Sequence, residues 1–341
     1  MRKSASIAVL AVASALLLTA CSGGGDSKAK STPKSTSSAA AVSGCDVKSG
    51  SASDSVTVTG DQKSAPKITF KKGISAKSEQ RSVLITGSGE KAQEGSAVTI
   101  AFTAYNGTSG DPISDPVGYD TSQDPYLAQL GPNSSLPLFN EAIECLQAGS
   151  RVAYVAPAAT AFGGESNLSQ TGLTKSDSVV MVADVLKVVP QPAISKADGA
   201  AQQPAANFPT VKLAGDGTPT ITLPKTQSLG KTTTDLEVLK KGTGATVKDG
   251  DVVTAHYIGM DWTTGKVFDS SWSRGKPSPF LTDQVVSGFT KALVGHTVGS
   301  QIEAVIPPAE GYGSQGNSQA GIGATDTLVF VVDILGTTAA R

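Results

Sequence analysis

Val253 to Phe289 reads VTAHYIGMDWTTGKVFDSSWSRGKPSPFLTDQVVSGF, and it decides the fold of the half of the chain that contains it. The run Asp251–Trp262 is long and rich in β-branched and aromatic residues, as a strand requires. Thr263–Lys266 is a turn, and V-F-D-S-S-W from Val267 resumes the strand. The stretch gathers Tyr257, the pair Phe268-Asp269, Val285, Val286 and Phe289 within a short span. It holds no nucleophile–base pair, no metal-ligand cluster and no phosphate-binding loop. Such a set predicts an apolar aromatic cup with a few polar groups on its rim.

Outward from this stretch the pattern stays β-rich. Pro219–Leu223 alternates and predicts an edge strand, and L-E-V-L-K-K-G-T-G predicts a strand ending in glycine turns. V-S-G-F-T-K-A-L-V-G is the one plausible helix: Phe289, Ala292 and Leu293 lie at i, i+3 and i+4, and Gly295 can end it. S-Q-I-E-A-V-I is a strand stopped by Pro307 and Pro308, and T-L-V-F-V-V-D-I-L closes the sheet. The helix is thinly amphipathic, so its stability must come from docking.

The same frame occurs earlier in the chain. V-T-I-A-F-T-A-Y-N-G from Val98 matches V-T-A-H-Y-I-G-M-D-W from Val253, with Phe102 opposite Tyr257 at 257 − 102 = 155. Phe139 faces Phe289 at 289 − 139 = 150, Phe162 faces Tyr312, and Met181 faces Phe330. Tyr119-Asp120 reads as the counterpart of Phe268-Asp269. Constant order at a near-constant offset predicts a duplicated domain. The first copy spans 53–189, a linker rich in Ala, Pro and Gln spans 190–206, and the second copy spans 207–337.

The 341 residues carry a formal net charge of −1, and no basic patch stands out, which argues against nucleic acid as a partner. His256 and His296 are the only histidines and no Cys/His cluster exists, so neither a metal nor another cofactor is expected. Arg2 and Lys3 precede a short apolar run, Ile7–Leu18, below transmembrane length. Residues 1–20 therefore read as a signal peptide. Leu18-Thr19-Ala20-Cys21 resembles a bacterial lipobox, which implies a lipidated Cys21, a flexible tether over 21–52 and a location at the outer face of a cell membrane. Ordinary secretion with cleavage elsewhere is the alternative. With Cys21 lipidated, Cys45 and Cys145 remain, and in an exported chain that pair predicts a disulfide; two free buried thiols are the alternative.

Tyr257, Phe268-Asp269, Val285-Val286, Phe289, Tyr312 and Phe330 together resemble the FKBP family of peptidyl-prolyl cis/trans isomerases. The resemblance covers essentially all of the second copy; the first copy keeps the frame without the full site. It implies an α+β fold class: two tandem domains, each a bent antiparallel sheet wrapped around one short helix. It implies that Tyr257, Phe268, Val285, Phe289 and Phe330 line a proline pocket, that Asp269 stands at its rim, and that Arg274 orders the neighbouring loop. It further implies that the Val286 N–H and the Tyr312 hydroxyl hold ligand carbonyls, and that Ile322 lies in a flap above. Phe289 stands where the family usually has Trp, Ser278 where it often has an aromatic, and the flap lacks its Pro-rich part. These departures bear on macrolide inhibitors, which the resemblance implies as ligands.

The expected partners are proline-containing exported polypeptides, with membrane contact through the lipid anchor. Three functions stay open at this point: an isomerase acting in the second copy, a non-catalytic chaperone or scaffold that binds proline peptides, and a purely structural surface protein. Phe102 and Phe162 lack the hydroxyls of Tyr257 and Tyr312, so the first copy is expected to be catalytically weak. His256 alternates with Tyr257 and is expected on the opposite face, as surface or core. Trp262 and Trp272 have no assigned role.

Overall fold

Two antiparallel sheets follow one another along the chain in a computed structural model that describes residues 44–341 apart from 121, 122, 133, 135, 204, 227 and 228. The first sheet comprises β1 (Gln80–Ile85), β2 (Ala97–Asn106), β3 (Tyr126–Gln129), β4 (Arg151–Pro157) and β5 (Ser178–Val189), with helix α1 (Leu138–Ile143). Its order is β1-β4-β5-β2-β3. The second comprises β6 (Ala200–Ala201), β7 (Asp235–Lys241), β8 (Asp251–Asp261), β9 (Val267–Ser270), β10 (Ser278–Leu281), β11 (Gln301–Ile306) and β12 (Leu328–Ala339), with helix α2 (Ser287–Leu293). Its order is β9-β8-β12-β11-β7-β6, and β10 also pairs with β8. Both sheets thus share one central order.

Sheet curvature has a local cause. Ladder registers shift at Thr99/Ile100 of β2 and at Thr254/Ala255 of β8, and again at Val83/Ile85 of β1 and Val238/Lys240 of β7. The offsets are 254 − 99 = 155 and 238 − 83 = 155. An extra residue in one strand bends it and increases its twist, so both sheets curl at matching places.

The curl gives β8 and β12 two covered faces. Side chains alternate along a strand. Val253, Ala255 and Tyr257 with Phe330, Val332 and Ile334 therefore face α2, packing on Phe289, Ala292 and Leu293. Ile258, Met260, Trp262, Val329 and Val331 face the other way, under Ile221, Phe208 and Val211. Helix α2 has only seven residues and could not persist alone. Its Phe289, Ala292 and Leu293 face is buried, and the chain leaves it through Gly295 at φ 84°, as the sequence predicts.

Several boundaries differ from expectation. Pro219–Thr222 is not an edge strand of the main sheet; it pairs with Thr210–Leu213 as a separate hairpin that caps the outer face of β8 and β12. The strand expected through Trp272 ends at Ser270, because Ser271–Gly275 turns back on itself. Strand β10 was not anticipated from the sequence. The tether expected over 21–52 does not extend to its end: Cys45 is bonded to Cys145, Val47 and Ala52 are buried, and Ser51–Asp54 forms a helical turn. Cys21 and the signal peptide expected over 1–20 lie outside the described residues. The linker expected over 190–206 is strapped to the second sheet: Ala197 N–H donates to Asp333 at 2.8 Å, and β6 pairs with β7. A buried carboxylate needs donors, and the strap supplies one to Asp333.

The described part of the chain forms one compact unit. Ala97, Val189, Val252, Leu281 and Ala340 pack together where the two sheets meet. Thr99 Oγ1 donates to the Ala340 carbonyl at 2.5 Å, and the Arg341 guanidinium donates to the carbonyls of Gly118, Asp120 and Gln123.

Candidate functional site

Helix α2 lies across the hollow of the second sheet and raises Phe289 to its centre. Three rings surround Phe289: Phe330 at 5.0 Å, Phe280 at 5.2 Å and Tyr257 at 6.1 Å between centroids, all edge-to-face. Phe268 adds a fifth ring, 5.5 Å from Phe330. Edge-to-face packing sets the positive edge of one ring against the negative face of the next. Val285, Val286 and Ile322 pack on the same cluster. Five expected pocket residues (Tyr257, Phe268, Val285, Phe289, Phe330) are therefore together.

Gly259 makes room for two of the rings. A Cβ there would lie 2.6 Å from Phe268 Cζ and 2.8 Å from Phe330 Cε1. Only hydrogen fits between those rings and the strand.

The rim is polar. Tyr257 donates its hydroxyl proton to the Asp269 carboxylate and accepts from Arg274 at 2.8 Å. Arg274 also pairs with Asp269 and sits 5.6 Å over the Tyr257 ring. Each group satisfies the next, so the loop that carries Arg274 is fixed to the cup wall. Burial, reinforced by the Asp269 carboxylate, pushes the Tyr257 phenol upward, so it remains a proton donor at neutral pH.

Val286 is the N-cap of α2, and its carbonyl accepts from Phe289 N–H at 2.8 Å. Its own N–H has no acceptor among the described residues. Tyr312 stands between two 3-10 turns, Pro308–Glu310 and Gly313–Gln315, and is about one-third exposed. It joins no ring contact of the cluster; the neighbouring Glu310 carbonyl, accepting from Ser287 Oγ at 3.3 Å, brings its turn beside α2. Ile322 is buried and closes a small loop by mutual backbone hydrogen bonds with Asn317, 2.8 and 2.9 Å.

Phe280 is the residue that sequence reasoning missed. It stands opposite Val253 in β10 and packs edge-on to both Tyr257 and Phe289. The signal was the S-P-F-L run after a Lys-Pro turn, too short to read as a strand alone. Two positions earlier, Ser278 carries no ring and stands 3.4 Å from Arg274 Nη2.

Behind the rim, His256 faces away from Tyr257, as expected. It is buried, stacks on Trp272 at 4.0 Å and 17°, and its Nδ1 is 2.9 Å from Ser271 Oγ. Burial lowers its pKa. Trp272 thus props the Arg274 loop from behind, whereas Trp262 belongs to the opposite core.

The first sheet arranges its counterparts differently. Phe139 is 5.3 Å from Phe102 and 4.9 Å from Tyr126, and Tyr126 tilts across it at 33°. Tyr126 pairs with Ile100 just as Ser278 pairs with Ala255, so a ring occupies the position that Ser278 holds in the second sheet. Leu168 and Leu173 add to the same cluster, and Phe139 and Met181 are sealed at 1% and 0% exposure. Tyr119 is not the counterpart of Phe268. Its hydroxyl points to the Val182 carbonyl on the far face of the sheet, near Asp184 and Arg151. The bridge Phe102–Val117 fixes the register, and Ile113, bonded to the Ala104 carbonyl and packed on the cluster, stands where Phe268 stands.

Residues 244–335 match the family model described as FKBP-type peptidyl-prolyl cis-trans isomerase. A probable FK506-binding protein of Corynebacterium glutamicum is 38% identical over 94 residues, which are 28% of this chain and 78% of that protein. An FK506-binding protein of Streptomyces anulatus is 37% identical over 97 residues, 28% of this chain and 78% of that protein. A probable FKBP-type peptidyl-prolyl cis-trans isomerase of Haemophilus influenzae is 46% identical over 94 residues, 28% of this chain and 38% of that protein. With a cup of edge-on rings, a closed Tyr–Asp–Arg rim and two relatives that match across 78% of their own length, the chain belongs to the FKBP-type peptidyl-prolyl cis-trans isomerases.

Proposed function

We propose that isomerisation takes place in the Phe289 cup of the second sheet, on proline-containing segments of exported polypeptides. The convergence of Tyr257, Phe280 and Phe330 on Phe289 beneath the Asp269–Arg274 rim carries this reading. A peptide bond resists rotation by about 18–20 kcal/mol because resonance holds the amide planar. Resonance puts positive character on nitrogen and negative character on oxygen; twisting removes it, so the transition state is less polar than the planar amide. A dry aromatic cup therefore holds the twisted form better than water does, and each tenfold acceleration requires about 1.4 kcal/mol of that difference. The proline ring lies on Phe289, walled by Tyr257, Phe268, Val285 and Phe330. The Val286 N–H and the Tyr312 hydroxyl hold the flanking carbonyls, and Ile322 covers the ring. No covalent step and no cofactor enter. Macrolides that present a similar ring and carbonyls are ligands of the same cup.

In this reading the two sheets are tandem FKBP-like domains, supported by their common strand order and matching bulges. The first is catalytically silent, since Tyr126 and the leucines fill its cup. Its role is spacing, stability or non-catalytic binding of client chains. The protein acts from the outer face of a membrane, tethered through a lipidated Cys21; a disulfide at Cys45–Cys145 suits such a compartment.

The test is proline-limited peptide isomerisation by the full chain. Tyr312→Phe is expected to lower kcat/KM about tenfold, near the 1.4 kcal/mol of one hydrogen bond, and Asp269→Ala to lower it further by releasing Tyr257 and Arg274. Full activity in both variants would place the reaction elsewhere.

A further inference from the structure

Glu310 makes more contacts than a surface glutamate requires. Its Oε2 accepts from Thr234 N–H at 2.9 Å and from Thr234 Oγ1 at 2.5 Å. Its Oε1 accepts from Lys291 Nζ at 2.6 Å, and its main-chain carbonyl accepts from Ser287 Oγ at 3.3 Å. Thr234 leads into β7, and Ser287 and Lys291 flank Phe289 on α2, so one residue joins three elements. Gly288 allows the close approach: a Cβ there would lie 2.7 Å from Thr234 Oγ1 and 2.4 Å from Ile306 Cγ2.

Two residues after Glu310 comes Tyr312, whose hydroxyl has no hydrogen-bond partner among the described residues. Glycines flank it as Gly311 and Gly313, which give its backbone little stiffness of its own. Only the turn before it is fastened to the helix.

We propose that Glu310 is a positioning residue for the isomerase reaction, clasping the 308–312 turn to α2 so that the Tyr312 hydroxyl is held in register with the Phe289 cup. This rests on the reading of Tyr312 and Phe289 as site residues. The Lys291 ammonium and then the Thr234 hydroxyl hold the Glu310 carboxyl down at about 2, so the clasp is charged throughout the range in which proteins work. Above about pH 4.5 the charged clasp also stabilises the fold, so its coupling to Tyr312 is what separates positioning from a purely structural role.

The experiment is a double-mutant cycle on the full chain, assayed with one short X-Pro peptide: wild type, Glu310→Ala, Tyr312→Phe and the double variant, with Glu310→Gln as the conservative control. Glu310→Ala is expected to lower kcat/KM roughly three- to tenfold at a temperature where the variant remains folded. Glu310→Gln, which keeps an acceptor for Thr234, is expected to retain part of the activity. In the Tyr312→Phe background, Glu310→Ala is expected to have no further effect. Equal losses in both backgrounds, or no loss at all while Tyr312→Phe is impaired, overturn the clasp and leave the site reading standing. A fully active Tyr312→Phe overturns the site reading, and the clasp falls with it.

Discussion

At Gly259 a single hydrogen separates strand β8 from the rings of Phe268 and Phe330. Alanine there must push one ring off its rotamer, and overpacking of this kind costs about 1–3 kcal/mol. Gly259→Ala is therefore expected to lower kcat/KM at least about tenfold, more than its loss of stability explains. Wild-type kinetics in that variant would show that the two rings do not shape the cup. Glu303 offers a second test at this scale. It is fully buried opposite Glu237, and no described group donates to its oxygens. Burial first, and then the facing Glu237, push its carboxyl from an ordinary 4.5 up to about 8. The sign follows from linkage: the folded form keeps a proton that the unfolded form has lost, so this group makes stability fall as pH rises from about 4.5 to about 8. Glu303→Gln is expected to be more stable than wild type at pH 8 by a few kcal/mol, and the difference should vanish near pH 4. Urea unfolding at the two pH values reads this directly; a pH-independent difference would refute it. Neither group was legible in the sequence. Glu237 and Glu303 each sit in an alternating strand and read as outward polar residues; in the fold they face one another across adjacent strands, and Ala205 N–H donates to the Glu237 carboxylate.

Among the elements, α1 and α2 are both too short to stand alone and are held by what they dock on. They end differently. The position that Gly295 fills after α2 is filled after α1 by Cys145, at φ 68°. A non-glycine residue in this region is disfavoured. Its partner is Cys45, 100 residues earlier, so the bond pins the 44–54 segment to the end of α1. In the chain-entropy account a loop of this length contributes several kcal/mol, and removing a native disulfide typically costs 2–5 kcal/mol. Cys45→Ser with Cys145→Ser is expected to lower stability by about that amount while leaving kcat/KM of the distant second sheet nearly unchanged. A proportionate loss of activity at temperatures where the variant stays folded would mean that the two sheets are coupled. Strand β10 illustrates the limit of reading elements from pattern. Four residues that follow one proline, contain another and end in a turn carry little periodicity, yet Phe280 there completes the ring set around Phe289.

For the molecule as a whole, two sheets with the same central strand order carry different residues on the face that meets the helix. Ser278 stands in the second sheet where Tyr126 lies against Phe139 in the first; Gly259 admits two rings where the first sheet has Ala104. The two sheets meet through a small apolar cluster and the Arg341 contacts. The remaining prediction concerns location. Cys21→Ala is expected to release the protein from membranes to the soluble fraction, since several acyl chains at about 0.8 kcal/mol per buried CH2 would otherwise hold it. Unchanged retention on membranes would remove the anchor from the account.

The sequence by itself determined the strand pattern, the helix and the family, because alternation, turn glycines and residue order are properties of the chain written in a line. It also named most of the cup, since those residues are large, apolar and far apart in a fixed order. Tertiary structure alone decided which ring covers which. Phe280 joined the cup, Tyr119 went to the far face, and the 190–206 segment became a strap, because each outcome depends on pairing register and on what a neighbouring strand leaves uncovered. A shift of one residue turns a side chain to the opposite face, and a single sequence does not fix that choice.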